Sequence, residues 1–468
     1  MTRPIRFNAF DMSCVGHVTG GTWRHPDSQA SRYKDIDYWT ELAQLLEKGF
    51  FDGIFIADVL GTYDVYGGNH DAAISHAAQV PVTDPLMVVS AMAAATKHLG
   101  FGVTAGTSYE HPYPFARRLS TLDHLTKGRI GWNIVTGYLP SAARNMGNED
   151  QLEHDARYAH ADEYLEVLYK LWEGSWEDDA VIRNRETGVY TDPKKVHSIN
   201  HKGEFFSVPG IHLVEPSPQR TPVIYQAGAS KRGIAFAADN AEAIFVAGPT
   251  KEIVARQITE IREALEASGR GRDSARIYAM LTIIVDETSE QAHAKHQEYL
   301  DYASPEAALV LMSGWMGVDL SEFDLDEPLG NITSNAIQSI AAAQQEGDKP
   351  AGEWTVRDIA EYSKVRGFGS VIVGDPEEIA DQLQEWAEFT DADGFNLAYA
   401  VTPGTFEDIV KWVVPELQKR GVYPTEYTTG TLRQKLFNKG DHLAPAHRGY
   451  QYKVSKGAPG KIASPTHS

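Results

Sequence analysis

The sequence predicts a (β/α)₈ TIM barrel, an α/β fold in which eight parallel strands alternate with helices around a common axis. Two observations favour this fold. Eight short β-rich runs alternate with amphipathic helical runs along most of the 468 residues. The β-rich runs are apolar nearly throughout, as expected of parallel strands that are buried on both faces. A doubly wound open sheet shows the same alternation, so the count of eight strands favours the barrel.

The individual elements follow from local signals. Asp84 and Pro85 have the character of an N-cap and a first helical residue, and they predict a helix that begins there. Thr405 and Asp408 have the spacing of a capping box for a late helix, and Gly421 stands where that helix would end. The eight strands are predicted at 5–10, 52–58, 100–106, 129–136, 222–228, 241–248, 276–285 and 394–401.

We expect one barrel domain over residues 1–427 and an extended, partly disordered C-terminal arm over residues 428–468. Two segments interrupt the barrel repeat. Residues 174–221 are polar and predict an excursion with a short hairpin. Residues 304–368 lack a clean hydrophobic period, and they predict a lid-like insertion.

Composition excludes several classes of partner. The formal net charge of −21 argues against a nucleic acid or an anionic membrane surface, because both attract basic patches. No apolar run approaches the roughly 20 residues of a membrane span, and the first residues do not resemble a signal peptide. Cys14 is the single cysteine, so no intramolecular disulfide forms. We therefore expect a cytoplasmic protein.

Function in such a barrel is expected where strands end and the following loops begin. The predicted strand ends lack a Lys placed for a Schiff base. They also lack the facing pair of carboxylates that a glycosidase needs, since only Asp58 fits. The alternative that these residues merely cap the following helices stays open. The polar residues at these ends are Asp58, Thr104, Asn133, Thr136, Gln226 and Ser230.

The segment YQAGASKRG is the most informative of these ends. Its small residues Ala227, Gly228 and Ala229 let a ligand approach the backbone, and Ser230 then opens a helix. A helix N-terminus with free N–H groups binds phosphate well, although a simple Ser N-cap would look the same. No dinucleotide fingerprint and no Walker A sequence is present. The chain is therefore expected to hold a phosphate without a nicotinamide site of its own.

His154 and Tyr158 lie one turn apart on one face of a predicted helix, where they would extend such a phosphate site. The alternative is that Tyr158 starts an apolar core stripe and that His154 pairs with Asp155.

Two other chemistries have weaker support. His197 and His201 have metal-ligand spacing without a nearby third ligand, so no catalytic metal is expected. Cys14 followed by His17 is weak evidence for a cysteine hydrolase. A set of aromatic residues is better interpreted as a dry pocket with phenol donors, although part of it could be core: Phe10, Tyr63, Tyr66, Tyr109, Trp132, Tyr138 and Trp315.

Eight segments together resemble the bacterial luciferase-like flavin monooxygenases, in the branch that contains the nitrilotriacetate and dibenzothiophene sulfone enzymes. The resemblance covers about residues 5–440 and is greatest to the branch members that act on dimethyl sulfide and long-chain alkanes. The segments are NAFDMSCVGH, TWRHP, FIADVLGTYDVY, STLDHLTKGRIGWNIVT, EHDARYAHADEYLEVLYKLWEGSWEDDAV, KVHSINHKGEFF, EPSPQRTPVIYQAGAS and DGFNLAYAVTPGTFEDIVKWVVPELQKRG.

This resemblance implies a two-component enzyme. It implies FMN that arrives already reduced from a separate NAD(P)H:flavin reductase, O₂ as co-substrate and a flavin hydroperoxide as oxidant. The flavin would activate O₂, while the protein orients the flavin and excludes water. The substrate is expected to be a small apolar molecule such as a sulfide, an alkane or a (halo)aromatic. The protein is expected to form a homo-oligomer, either a dimer or a tetramer.

The resemblance also implies site residues. His154, Tyr158 and Ser230 would face the flavin phosphate, and Asp58 and Thr104 would face the isoalloxazine. Asn133 and Gly228 are expected as additional neighbours of the flavin. The positions that match the substrate pocket of the branch are Cys14, Tyr63, Gln79, Tyr138 and Leu311, of which the first four are the catalytic candidates.

Two pocket positions depart from the alkane enzymes of this branch, which carry histidines where this chain has Tyr138 and Leu311. These two residues and the run SGWMGVDL are more similar to the dimethyl sulfide enzymes, and they favour a compact apolar substrate. A deazaflavin-dependent oxidoreductase and a non-catalytic flavin-binding protein of the same fold are the alternatives.

Overall fold

The computed structural model describes residues 4–228, 230–328 and 353–454. Eight parallel strands form a closed barrel, since the first strand pairs with both the second and the last, so the predicted (β/α)₈ fold is confirmed. Every predicted strand is present. The strands are β1 (Arg6–Met12), β2 (Gly53–Ala57), β3 (Gly100–Gly106), β4 (Ile130–Val135), β5 (His201–Lys202), β6 (Ser207–Val208), β7 (Val223–Ala227), β8 (Ala243–Val246), β9 (Arg276–Val285), β10 (Ser370–Gly374) and β11 (Gly394–Ala398).

Three of these strands lie outside the eight-strand barrel. β5 and β6 form a small antiparallel hairpin, and β10 pairs with Leu281–Val285 of β9. β8 pairs with β9 only over Arg276–Ala279, so β10 continues the same edge beyond the end of β8. The sequence did not predict β10, because it is five residues long and follows a segment that was interpreted as an insertion.

The helices surround the barrel. They are α1 (Ile36–Lys48), α2 (Asp71–Ser75), α3 (Leu86–Ala95), α4 (Pro112–Leu125), α5 (Pro140–Asn145), α6 (His154–Gly174), α7 (Lys231–Asn240), α8 (Lys251–Ala267), α9 (Ser289–Tyr302), α10 (Pro305–Met316), α11 (Val356–Ser363), α12 (Pro376–Thr390), α13 (Gly404–Asp408), α14 (Val414–Lys419) and α15 (Leu432–Phe437), with a π-helical turn at Ile409–Val413 between α13 and α14. Short 3₁₀ turns lie at Thr22–Arg24, Ala30–Arg32, Tyr66–Gly68, Pro193–Lys195, Leu320–Glu322 and Arg448–Tyr452. Within the described residues, none of the helices is both long and apolar enough to cross a membrane.

Of the three helix-end signals predicted from the sequence, those at Asp84 and Gly421 lie at helix ends, and the one at Thr405 does not form a cap. The Asp84 carboxylate accepts a hydrogen bond from the Leu86 amide at 2.9 Å, close to the predicted cap. The capping box at Thr405 is wrong, because α13 already begins at Gly404 and the Thr405 hydroxyl instead accepts from the amides of the preceding loop. Gly421 follows α14 with φ +70°, the left-handed conformation expected at a helix end.

Aromatic side chains fill the barrel interior. The ring centroids of Phe55 and Phe245 are 4.2 Å apart, and those of Tyr225 and Phe245 are 5.6 Å apart and nearly parallel. Gly131 leaves room for this layer, because a Cβ at that position would overlap the ring of Tyr225. The interior is therefore a packed core, and a ligand must lie above it at the mouth of the barrel.

The amino-terminal end of the barrel is closed by the C-terminal segment. Leu432 and Leu436 of α15 pack into the same cluster as the barrel aromatics. Arg433 donates to both carboxylate oxygens of Glu242 at 2.6 and 2.8 Å, and both residues are buried. The prediction of an extended arm is therefore wrong for α15, because its apolar face and this ion pair hold it against the barrel. The predicted disorder falls on residues 455–468, which lie outside the described residues.

The first predicted insertion contains the short hairpin expected from its sequence, whereas the second contains more regular structure than its sequence indicated. The β5–β6 hairpin lies within residues 174–221, and the Glu163 carboxylate anchors it by accepting three backbone N–H bonds. The segment 304–368 contains α10 and α11, while residues 329–352 lie outside the described residues. Residues 307–314 of α10 are all buried, and a helix without a solvated face has no amphipathic period to detect. The domain limits and the lid role stay predictions.

We predict that Arg433→Met lowers the free energy of unfolding by about 3–5 kcal/mol, because Glu242 is left as a buried unpaired charge. Urea unfolding followed by circular dichroism measures the change. Arg183→Met is the matched control, since Arg183 pairs with Glu215 on the protein surface and little change is expected there. If both variants unfold like the unmodified chain, the buried ion pair does not hold the C-terminal segment in place.

Candidate active site

Polar side chains from neighbouring strands meet at the carboxyl-terminal mouth of the barrel. Thr104 and Asn133 are register partners on β3 and β4, and the Asn133 amide donates to the Thr104 hydroxyl at 2.9 Å. The Asn133 Oδ1 and the Gln226 Oε1 are buried without a hydrogen-bond partner among the described residues. Buried carbonyl oxygens of this kind are costly unless a ligand donates to them. The mouth is therefore equipped to accept hydrogen bonds from a ligand.

Asp58 follows β2 on the same mouth. It lines a cavity of about 330 Å³ together with Thr104 and Tyr138. Burial, together with the nearby charge of Asp84, raises the pKa of the Asp58 carboxyl to about 7. This carboxyl therefore changes its charge near neutral pH, whereas an ordinary aspartate does not.

A second group of predicted residues comes together where two helices begin. Ser230 caps α7 by accepting from the Gly233 amide at 3.0 Å, and its hydroxyl lies 3.4 Å from His154 Nε2 at the start of α6. The Tyr158 ring centroid is 5.1 Å from that of His154, and a Cβ at Gly233 would lie only 2.8 Å from the Tyr158 hydroxyl. Two helix N-termini and three polar side chains thus converge, an arrangement that favours an anion such as a phosphate.

Gly228 connects this group with the mouth of the barrel. A Cβ at Gly228 would lie 3.5 Å from Gln226 Nε2 and 3.8 Å from the Tyr158 hydroxyl. Ala229 lies outside the described residues. Arg232 is bound to Asp162 at 2.5 Å, so its charge is partly neutralised before any ligand arrives.

Three of the predicted substrate residues are joined by hydrogen bonds. We give the name Tyr63 cluster to Tyr63, Gln79, Tyr138 and Trp315. Tyr63 donates to Gln79 Oε1 at 3.1 Å, accepts from Trp315 Nε1 at 2.9 Å and shares a hydrogen bond with the Tyr138 hydroxyl. Burial raises the pKa of Tyr63, and desolvation also raises that of Tyr138 although this residue is 44% exposed, so both phenols stay neutral. Leu311 packs with Tyr63 in one apolar cluster. The Tyr63 cluster therefore offers neutral hydrogen-bond donors and acceptors on an apolar wall.

Cys14 lies close to Asp58 and to Tyr63. It is buried and forms an isolated β-bridge with Val82. Burial raises the pKa of its thiol, and the charges of Asp11 and Asp58 add to the increase. A thiol in this state is a poor nucleophile. His17 stacks edge-on against Phe10, and burial lowers the pKa of its imidazole to about 3. The structure thus gives no support to a Cys14–His17 hydrolase.

The structure also gives no support to a metal site at His197 and His201. His197 Nε2 lies 3.0 Å from Glu177, while His201 Nε2 lies 3.1 Å from Glu163, so the two rings bind different carboxylates. Within the described ranges, the histidines, cysteine and acidic residues form no group of three that could hold a metal ion.

Three residues of the site were not predicted from the sequence. Gly314 of α10 lets Tyr63 lie against the helix backbone, because a Cβ there would overlap the tyrosine ring. Asn396 and the His17 ring are buried at the mouth with polar atoms that have no partner among the described residues. An isolated glycine in a buried helix and an asparagine within a strand carry no local signal of function. The sequence indicated His17 only through its spacing from Cys14, as the base of a cysteine hydrolase, and not as a residue of this site.

Comparison with known proteins gives the following relationships. A family model described as luciferase-like monooxygenase matches residues 13–392. The chain is 53% identical over 454 residues to the dimethyl-sulfide monooxygenase of Hyphomicrobium sulfonivorans, covering 97% of this chain and 94% of that protein. It is 50% identical over 461 residues to the long-chain alkane monooxygenase of Geobacillus thermodenitrificans, covering 97% and 100%. A crystal structure of riboflavin lyase with modified FMN and riboflavin is similar with a TM-score of 0.89 and 37% identity, covering 97% and 100%.

We predict that Asp58→Asn stabilises the protein only at higher pH. The folded pKa of about 7 lies above the ordinary value of 3.8, so the unmodified protein loses stability as the pH rises between these two values. Each pH unit in this window contributes up to about 1.4 kcal/mol, so the variant should be roughly 2–4 kcal/mol more stable at pH 8.

Thermal and urea unfolding at pH 4, 5.5, 7 and 8 measure this difference. Asp37→Asn is the control, because Asp37 is exposed in the first turn of α1 and should give no such trend. A constant difference between Asp58→Asn and the unmodified protein across the pH range would contradict the prediction.

Proposed function

The chain belongs to the luciferase-like monooxygenases, and on this basis we propose that it uses reduced FMN and O₂ to oxygenate a small, largely apolar organic molecule. The observation that carries the proposal is the convergence of Ser230, His154 and Tyr158 at two helix N-termini beside a mouth that holds unpartnered amide oxygens. That combination suits a ligand with a phosphate at one end and a hydrogen-bonding ring at the other.

The residues present fit FMN. The Ser230 hydroxyl, the first amides of α7 and the side chains of His154 and Tyr158 would hold the phosphate. Asn133 Oδ1 and Gln226 Oε1 would accept hydrogen bonds from ring N–H groups, with Thr104 and Asp58 beside them. The solved riboflavin lyase, which contains modified FMN, supports this assignment because the two chains align over nearly their whole length.

When bound, reduced flavin supplies the two electrons that reduce O₂. One oxygen atom enters the substrate, and the other leaves as water with those electrons and two protons. Asp58, His17 and Asn133 would surround the ring and exclude bulk water. The neutral phenols of Tyr138 and Tyr63 would orient the substrate or donate a hydrogen bond to the oxygen that is transferred.

The Tyr63 cluster also indicates the substrate class. Cys14 and Leu311 lie beside it, and at its apolar wall a charged substrate would be desolvated without compensation. We propose a neutral, apolar substrate such as a sulfide, because Tyr138 and Leu311 stand where the alkane enzymes of this branch carry histidines. A deazaflavin-dependent oxidoreductase or a non-catalytic flavin-binding protein is not favoured, since relatives 53% and 50% identical over nearly the whole chain are monooxygenases.

The proposal includes two partners. A separate NAD(P)H:flavin reductase would supply reduced FMN, because the sequence contains no dinucleotide fingerprint. Self-association into a dimer or a tetramer is also proposed.

We predict that the purified chain with FMN and NADH consumes no NADH, and that adding a general flavin reductase produces oxygenated sulfide. Product is measured by mass spectrometry with ¹⁸O₂, which should label the product with one oxygen atom. The control omits substrate, in which case NADH is consumed and no labelled organic product forms. Steady NADH consumption by the isolated chain would show that it reduces the flavin itself.

We predict that Ser230→Ala weakens the binding of reduced FMN about 5- to 30-fold, the effect of losing roughly 1–2 kcal/mol from a hydrogen bond to a charged group. Anaerobic fluorescence titration measures the Kd. Thr288→Ala is the matched control, because it removes the cap of α9, an exposed helix that contributes no residue to the proposed flavin site. Both variants should lose about 1 kcal/mol of stability, but only Ser230→Ala should bind flavin more weakly. Equal Kd values for the two variants would show that Ser230 only caps α7 and does not bind the flavin phosphate.

A further inference from the structure

A second cavity opens at the mouth of the barrel, on the side of β8, β9, β11 and β1. We call it the apolar chamber. Its volume is about 450 Å³, and the rings of Phe10, Phe245 and Phe368 and the side chain of Met280 form much of its wall. None of the described residues that line it carries a charge. The cavity beside Asp58 differs in this respect, since Glu110 and Arg118 also line that one.

Two amide side chains interrupt this hydrocarbon surface. Asn396 is 2% exposed, and its Oδ1 is buried without a hydrogen-bond partner among the described residues. The Gln257 Oε1 is also buried without a partner in the described part of the chain. An unpaired amide in apolar surroundings is unfavourable, whereas a ligand with one hydroxyl or N–H group would satisfy it. The apolar chamber therefore has the composition of a binding site for a neutral molecule.

The apolar chamber shares its walls with the proposed reaction site. The Phe10 ring packs against His17 at 4.4 Å, and the His17 carbonyl accepts the hydrogen bond that holds Gln79. The Phe368 ring lies 4.6 Å from that of Trp315, which donates to Tyr63. Gly228, a neighbour of the proposed flavin site, also lines the apolar chamber. Only the side chains of these shared walls therefore lie between the apolar chamber and a molecule that reacts beside the Tyr63 cluster.

We propose that the apolar chamber binds the tail of the organic substrate, which makes the substrate a neutral molecule with an alkyl or aryl tail rather than a sulfide with two methyl groups alone. This inference rests on the proposed oxygenation. A water molecule occupies about 30 Å³ of liquid, so a volume of 450 Å³ holds roughly fifteen atoms of that size, far more than dimethyl sulfide contains. A polar group at the far end of the tail meets the amide of Asn396.

The test uses methyl alkyl sulfides from dimethyl sulfide to decyl methyl sulfide, with the complete chain, FMN and a flavin reductase. In the unmodified enzyme, kcat/KM should rise up to about fourfold for each methylene until the chamber is filled. Ala247→Phe narrows the chamber, because Ala247 lines it directly after β8, and it should abolish this rise. Phe368→Ala should extend the rise to longer tails. Ala267→Phe places the same ring at an exposed position at the end of α8 and should behave like the unmodified enzyme.

Asn396 is tested with a matched pair of ligands, hexyl methyl sulfide and 6-(methylthio)hexan-1-ol. The unmodified enzyme should prefer the alcohol, whereas Asn396→Leu, of similar size without the amide, should prefer the sulfide. Calorimetry with the flavin-free protein measures binding of both ligands independently of turnover.

These measurements separate the possible failures. If Ala247→Phe binds hexyl methyl sulfide as tightly as the unmodified protein, the apolar chamber is not the tail site. If the same variant instead loses its affinity for reduced FMN, the chamber holds the flavin ring and the proposal is wrong. Binding of the sulfides that follows the expected pattern without any oxygenated product would support the chamber as a tail site and refute the proposed function.

Discussion

The closure of the parallel sheet is the constraint from which the arrangement of the site follows. Because β11 pairs with β1 and β9 with β8, every barrel strand runs in the same direction without a free edge. The residues that follow or end these strands, among them Asp58, Asn133 and Gln226, must then meet at one mouth. The aromatic layer around Phe245 fills the space below, so the mouth is the place where the barrel can receive a ligand.

The Arg433–Glu242 pair at the amino-terminal end of the barrel differs from three buried amides near its carboxyl-terminal mouth. At the amino-terminal end, Arg433 and Glu242 satisfy one another, and backbone carbonyls accept the remaining guanidinium hydrogens. At the carboxyl-terminal end, Asn133, Gln226 and Asn396 keep oxygens without partners among the described residues. Satisfied groups stabilise the fold, whereas unsatisfied ones reduce its stability until a ligand binds.

The apolar wall of the mouth depends on α10. Its backbone at Gly314 supports the Tyr63 ring, and its Trp315 connects that ring with Phe368 at the edge of the apolar chamber. One helix therefore positions both the hydrogen-bond cluster and the wall of the proposed tail site. The phenols of Tyr63 and Tyr138 stay neutral because desolvation raises their pKa values, which suits chemistry on an uncharged substrate.

The sequence by itself determined the features that local signals encode. Strand runs and their count predicted the barrel. Ser230 and the His154–Tyr158 pair predicted the position of the proposed anion site, because a cap and an i, i+4 spacing act within one or two helical turns. Only the tertiary structure decided the rest. α10 has no amphipathic period because it is buried on all sides, and Thr405 bonds a loop rather than its own helix. Gly314 and Asn396 have meaning only through neighbours distant in sequence, since packing and desolvation depend on what surrounds a residue in space.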